Sequence, residues 1–308
     1  MFERELWAVS SAGPVPLPLP GRCTTGDLHE LFDAVPLGVY SGLRTYQHVR
    51  FLRLGQHIER TERSAALLGW SGQLDRLLLR RSLHALVSAY RAPETRVRFD
   101  WLAEPPSLAG TSFRLLVGLA PLVPIAPEVM TAGVRLGLCS LRRTTPLIKT
   151  TDFVRQRRTC FELDPDAYEH LMVNQDGFVL EGTSSNFFGV RAGRLVTAGQ
   201  GVLEGITRRT ILELGQEIGL ECSLAGIRVA ELGELDESFI SSSTREIVPA
   251  VQVAKLQIGD GRPGPVTRAL QVAFRAYADA NARPAVSDAP EPRSTDAAAT
   301  EQAGAVRP

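Results

Sequence analysis

The chain has 308 residues, 44% of them hydrophobic and 22% charged, enough for one large domain or two ordinary ones with apolar cores. Lys+Arg and Asp+Glu both total 34, so the basic excess of a nucleic-acid binder is absent and small-molecule chemistry becomes the default. No apolar run approaches the roughly 20 residues that span a bilayer, the opening MFERELWAVSSAG lacks a signal-peptide core, and Cys23, Cys139, Cys160 and Cys222 are too scattered for a zinc site or disulfide frame. A cytoplasmic protein without a metal is expected.

Along the chain, residues 37–46 and 49–54 read as a hairpin leading into a helix near 56–68. A second helix is predicted over 71–90, where Leu74, Leu77, Leu78, Leu83 and Leu86 recur at helical spacing. Residues 96–101 and 112–118 read as strands, and the proline-bearing stretch 121–127 reads as a connector. Residues 168–174 and 178–181 form a strand, turn, strand unit around Gln175-Asp176-Gly177, and 186–190 and 194–197 flank a further glycine turn. A helix is expected over 208–218, with Thr207 as its N-cap. This organisation implies an N-terminal part over 1–120, a connector at 121–130, a strand-rich part over 131–282, and a disordered Ala/Pro/Glu/Asp/Ser tail over 283–308.

Only Lys149 and Lys255 are lysine; every other Lys+Arg position is arginine. Arginine cannot replace lysine in Schiff-base chemistry, because its guanidinium stays protonated and is no nucleophile. Chance survival on the surface is the competing reading for either lysine taken alone. Lys255 has nothing else to recommend it. Lys149 stands between Leu147-Ile148 and Thr150-Thr151, which suits a partly buried strand where desolvation favours the neutral amine.

Five motifs frame that lysine in order. They are GVYSGLRTY followed by His57-Ile58-Glu59-Arg60, then PLIKTTDF around Lys149, then Glu181-Gly182-Thr183-Ser184-Ser185-Asn186. Gly205-Ile206-Thr207 opens the predicted helix, and Ser241-Ser242-Ser243-Thr244 makes a hydroxyl-rich turn. Alone, Arg60 is as readily a helix-surface arginine and Gly205-Ile206-Thr207 only a cap.

Taken together over about residues 30–280, the motifs resemble the class IV aminotransferases, the fold-type IV pyridoxal-phosphate enzymes. That group includes branched-chain aminotransferases, D-amino acid aminotransferases and 4-amino-4-deoxychorismate lyases. The resemblance implies a two-domain α/β (α+β) fold, with a small N-terminal α/β domain and a larger strand-rich one, assembled as a homodimer. It implies pyridoxal 5′-phosphate on Lys149 as a Schiff base, with Glu181 paired to the pyridine nitrogen so that the ring is an electron sink. Arg60, Ile206, Thr207 and Ser243 would hold the phosphate, and Ser184 would complete the cofactor contacts.

Substrate residues are less determined. Tyr40 is the pocket candidate, and Arg44 and Arg98 are candidate carboxylate binders, with Arg142 or Arg143 as further choices; each arginine also has a structural reading. Ser41 stands where branched-chain enzymes have glutamate, Thr183–Asn186 is nearer the D-amino acid group, and Asp152 stands where many members have asparagine. The expected reaction moves an amino group from a small amino acid, branched-chain first, to a 2-oxo acid such as 2-oxoglutarate. Aminodeoxychorismate lyase and D-amino acid transfer on the same scaffold are the alternatives, and a non-catalytic paralogue is the reading from another class.

Overall fold

The computed structural model describes residues 3–19, 28, 35–105 and 112–287. Cys23 and residues 288–308 of the expected tail lie outside them. Two sheets carry the architecture. The first has seven strands in the order Arg283–Pro284, Arg50–Phe51, Gly38–Tyr46, Thr95–Leu102, Leu115–Pro121, Glu5–Ser10 and Gly13–Leu17, each pair antiparallel. Side-chain alternation divides its faces. Val39, Leu43, Val97, Phe99 and Trp101 pack with Leu54, Ile58, Leu79, Leu83 and Leu86 of two helices, Leu54–Leu67 and Arg76–Tyr90. Tyr40, Gly42, Arg96, Arg98 and Asp100 fall on the opposite face, and that face is a wall of the site.

The structure corrects several expectations. The second helix begins at Arg76 and not at 71, because Asp75 is its N-cap and accepts the Leu78 N–H at 2.8 Å. The hairpin's return strand is only Arg50–Phe51, since the first helix already starts at Leu54. The strand expected over 112–118 runs over Leu115–Pro121, so Pro121 ends a strand, and the connector leads to a short helix, Pro127–Ala132. The strands Glu5–Ser10 and Gly13–Leu17 are additions to the sequence reading; Pro14 and Pro16 are tolerated because their strand lies at the sheet edge. The tail does not lose structure at Arg283: Arg283 and Pro284 pair with Phe51 and Arg50, and Ala285 is fully buried.

The second sheet has ten strands, mixed parallel and antiparallel. Six of them close on themselves: Asn186–Arg191, Glu237–Ser242, Glu246–Val253, Val134–Cys139, Glu169–Val173 and Phe178–Gly182, the last pairing back to the first through Asn186 and Glu181. Helices Ile206–Glu217 and Pro265–Asn281 share a core with strand residues Phe188, Val190, Phe239 and Ile247. No helix among the described residues is long and apolar enough to cross a membrane.

Candidate active site

Lys149 is not on a strand, as its neighbours suggest, but in an extended segment just before the helix Thr151–Gln156, clamped to the strand Gly38–Tyr46. The Tyr40 N–H donates to the Lys149 carbonyl at 3.1 Å, Val39 and Thr150 form a β-bridge, and the Gly38 N–H donates to Thr151 Oγ1 at 3.0 Å. The Lys149 Nζ therefore sits 4.8 Å from the centre of the Tyr40 ring, with the Arg98 guanidinium 4.1 Å from that same ring. Among the described residues the ammonium has no carboxylate within ion-pair distance. Burial, with Arg60 and Arg143 adding to it against Tyr40 and Glu181, lowers it to about 8. Burial would raise the Tyr40 phenol, but Lys149, Arg98, Arg157 and Arg143 outweigh it and bring it down to about 8.

Glu181 stands where the six-stranded ring closes and is 2% exposed. Asn186 Nδ2 donates to its Oε2 at 3.0 Å, and Arg143 Nε donates to its Oε1 at 2.8 Å. Arg143 is in turn stacked 3.6 Å over the Phe153 ring. Burial raises the Glu181 carboxyl while Arg143 opposes the rise. Beside it, Thr183 and Ser184 donate to the buried Glu169, which Arg245 meets at 2.9 Å. Arg245 also donates to Ser184 Oγ at 2.8 Å. Burial alone would raise Glu169, but Arg245 and the two hydroxyls hold it down to about 2.

The far end of the site is built of donors. Arg60 is 5% exposed, yet its described contacts include no carboxylate; Nη2 donates to Ser41 Oγ at 3.2 Å and Nε has no partner. Burial pulls its guanidinium down to about 10. Ser41 thus lies behind Arg60 on the core-facing side of its strand, hydrogen-bonded to Thr61 at 3.1 Å. Thr207 is not the helix N-cap: the Gly205 carbonyl accepts the Arg209 N–H, Gly205 is the cap, and no side chain caps the first turn. A Cβ at Gly205 would lie 2.0 Å from Asn186 Oδ1, so only glycine lets the helix start approach that closely. Thr207 and Ser243 hydroxyls meet at 3.4 Å. A buried cation, an uncapped helix start and paired hydroxyls make a donor set suited to an anion.

Tyr40, Arg60, Arg98, Lys149, Glu181, Ser184, Ile206, Thr207 and Ser243 all line one cavity of about 340 Å³. Arg44 does not. Its guanidinium pairs with Glu94 and, at 3.1 Å, with Glu246, and it lies over the Tyr46 ring, so a substrate role for Arg44 is withdrawn. Arg98 does reach the cavity but is already bound by Asp100, Nε to Oδ2 at 2.8 Å. Arg142 is exposed and Arg143 is the one turned inward. Asp152 pairs with Arg155 along its helix. Arg157 and Arg245 line the cavity unannounced by the motifs, although Arg245 directly follows the serine-rich turn.

Residues 38–253 match the family model described as amino-transferase class IV. The chain is 29% identical over 255 residues to a D-alanine aminotransferase of Bacillus licheniformis, covering 77% of this chain and 86% of that protein. It is 28% identical over 276 residues to the branched-chain-amino-acid aminotransferase of Escherichia coli K12, covering 82% and 88%. In fold it is similar to a T.th. branched-chain amino acid aminotransferase solved with pyridoxamine 5′-phosphate, with a TM-score of 0.73 at 23% identity over 88% of this chain and 93% of the other.

Proposed function

The chain belongs to the class IV aminotransferases, which are pyridoxal-phosphate enzymes, and on that premise we propose that it moves an amino group between a small amino acid, branched-chain first, and a 2-oxo acid such as 2-oxoglutarate. The observation that carries this reading is the convergence of Lys149, Glu181 and the donor set around Arg60 on one cavity. These residues fit the cofactor: Arg60 has a buried, unpartnered Nε, and Thr207 and Ser243 bring their hydroxyls together at the uncapped helix start beside it.

Arg60, the Ile206–Thr207 helix start and Ser243 would hold the phosphate, and Glu181 would face the ring nitrogen. When bound, pyridoxal phosphate supplies an aldehyde carbon for amines and an electron-poor ring that withdraws charge from the substrate Cα. Lys149 would be the covalent anchor, and its Nζ would be the group placed to take the Cα proton. Its lowered pKa leaves a useful share of neutral amine near neutrality. Ser184 orders the floor by bridging Glu169 and Arg245. Tyr40, stacked against Lys149 and Arg98, bounds the substrate side, where the clustered guanidinium groups favour a carboxylate-bearing substrate.

The D-alanine aminotransferase among the relatives supports D-amino acids as the second substrate class. We also expect the homodimer that membership of the family implies, and light scattering tests it. The decisive experiment supplies the purified protein with pyridoxal phosphate, records the visible spectrum, and adds borohydride. The expected result is a visible band that borohydride bleaches, with the label on the Lys149 peptide. Amino transfer from both leucine enantiomers and D-alanine to 2-oxoglutarate then ranks the substrates. A protein that takes up no pyridoxal phosphate would sink the reading.

A further inference from the structure

We propose that Arg157 is the residue that receives a substrate carboxylate. The cavity wall carries an excess of guanidinium groups, and most are already committed. Arg143 is held by Glu181, Arg98 by Asp100 and Arg245 by Glu169. Arg60 belongs to the donor set, its Nη2 donating to Ser41 Oγ. Arg157 differs from all of these: it lines the cavity, is half-buried, and its side chain makes no hydrogen bond or ion pair among the described residues.

Its direction follows from local structure. The Arg157 N–H donates to the Phe153 carbonyl at 3.1 Å, so the two residues stand one helical turn apart on the same face. Phe153 packs in the core under the Arg143 guanidinium, and Arg143 and Arg157 both line the cavity, so this side of the helix borders the site. Arg155, on the other side of the turn, is tied to Asp152 and to the Val35 carbonyl. Arg157 is also close enough to the Tyr40 phenol to favour its ionised form. Lys149 and Arg157 belong to one short segment tied to the strand Gly38–Tyr46 by the Tyr40 N–H to Lys149 carbonyl bond and the Gly38 N–H to Thr151 Oγ1 bond, and both residues line the one cavity.

A planar guanidinium with no counterion, near a phenol and lining the same cavity as the Lys149 amine, matches a carboxylate in charge and in fork geometry. The carboxylate is either the one on the reacting carbon or the distal one of a dicarboxylic substrate. This inference rests on the aminotransferase reading and names the contact that reading leaves open.

The test uses holoenzyme carrying Arg157→Gln or Arg157→Lys. Binding of isovalerate (one carboxylate) and glutarate (two) is titrated by the cofactor spectrum, and the half-reaction is timed with leucine, glutamate and sec-butylamine, which has no carboxylate. We expect Arg157→Gln to weaken acid binding about 10- to 100-fold while sec-butylamine reacts as in the wild type, and Arg157→Lys to recover part of the loss. Loss for both acids assigns the carboxylate on the reacting carbon; loss for glutarate alone assigns the distal one. Unchanged acid binding, or an equal loss for sec-butylamine, overturns the proposal. Should Arg157→Gln fail to retain cofactor, Arg157→Met provides the same comparison. A wild-type protein that binds pyridoxal phosphate but converts no amine would count against the aminotransferase reading instead.

Discussion

The Lys149 carbonyl accepts the backbone N–H of Tyr40 at 3.1 Å, so a main-chain bond, independent of their side chains, holds the amine against the phenol. Each group then sets the other's ionisation, and the consequence is measurable.

Lys149 is held at about 8 and not at its ordinary 10.5, so its neutral amine becomes the main form above about pH 8. The neutral form is the nucleophile, so capture of pyridoxal phosphate by the apoprotein should accelerate as pH rises through about 8 and level off beyond it. The Tyr40 phenolate raises Lys149, so Tyr40→Phe should move the midpoint to lower pH. Stopped-flow absorbance across pH 6–10 reads both. A Tyr40→Phe midpoint at or above that of the wild type contradicts the coupling.

Glu181→Gln should still capture the cofactor covalently at Lys149, because the carboxylate is not the nucleophile. The single-turnover rate with an amino acid should fall about a hundredfold or more, since an amide cannot keep the ring nitrogen protonated. A variant as fast as the wild type would remove Glu181 from the chemistry.

Arg60→Met should act in opposite directions on two observables. A buried guanidinium without a carboxylate partner costs the apoprotein stability, so its melting temperature should rise or hold. The dissociation constant for pyridoxal phosphate should increase about 10- to 100-fold as a charged donor fork is lost. Calorimetry and spectral titration separate the two effects. A lower melting temperature with cofactor affinity unchanged would make Arg60 a purely structural residue.

Glu169 lies at about 2, below its ordinary 4.5, because Arg245 and two hydroxyls favour its anion. A depressed carboxylate contributes stability that is fully present above about pH 4.5 and disappears as pH falls through about 2. Glu169→Gln should cost about 3 kcal/mol at neutral pH by leaving Arg245 without a counterion. It should also flatten the loss of melting temperature on acidification between pH 5 and 2. An unchanged acid slope would show that the pair does not carry this dependence.

Much of the fold is legible in the sequence because local rules govern it. The leucines at helical spacing mark the helix Arg76–Tyr90, and Gln175-Asp176-Gly177 marks the hairpin between Glu169–Val173 and Phe178–Gly182. The strand Gly13–Leu17 is hidden by Pro14 and Pro16, whose cost vanishes only at a sheet edge, and edge position is a property of the assembled sheet. Thr207 resembles a cap because its hydroxyl suits one, whereas the helix begins two residues earlier than expected, at Ile206, where Gly205 must approach Asn186.

The sequence by itself determined the kind of chemistry: one conspicuous lysine, a strand-ending glutamate, and glycine and hydroxyl motifs in family order. Those features are local, since a residue's capacity to be a nucleophile, an acid or an anion donor is written in its own atoms. Which arginine is free to meet a substrate was decided only by tertiary structure. Arg44 and Arg157 are alike as residues, but Arg44 is neutralised by Glu246, 202 positions away, while Arg157 keeps an uncommitted guanidinium at the cavity. A cation's availability depends on which carboxylates other segments bring within a few ångströms, and no short stretch of sequence contains that information.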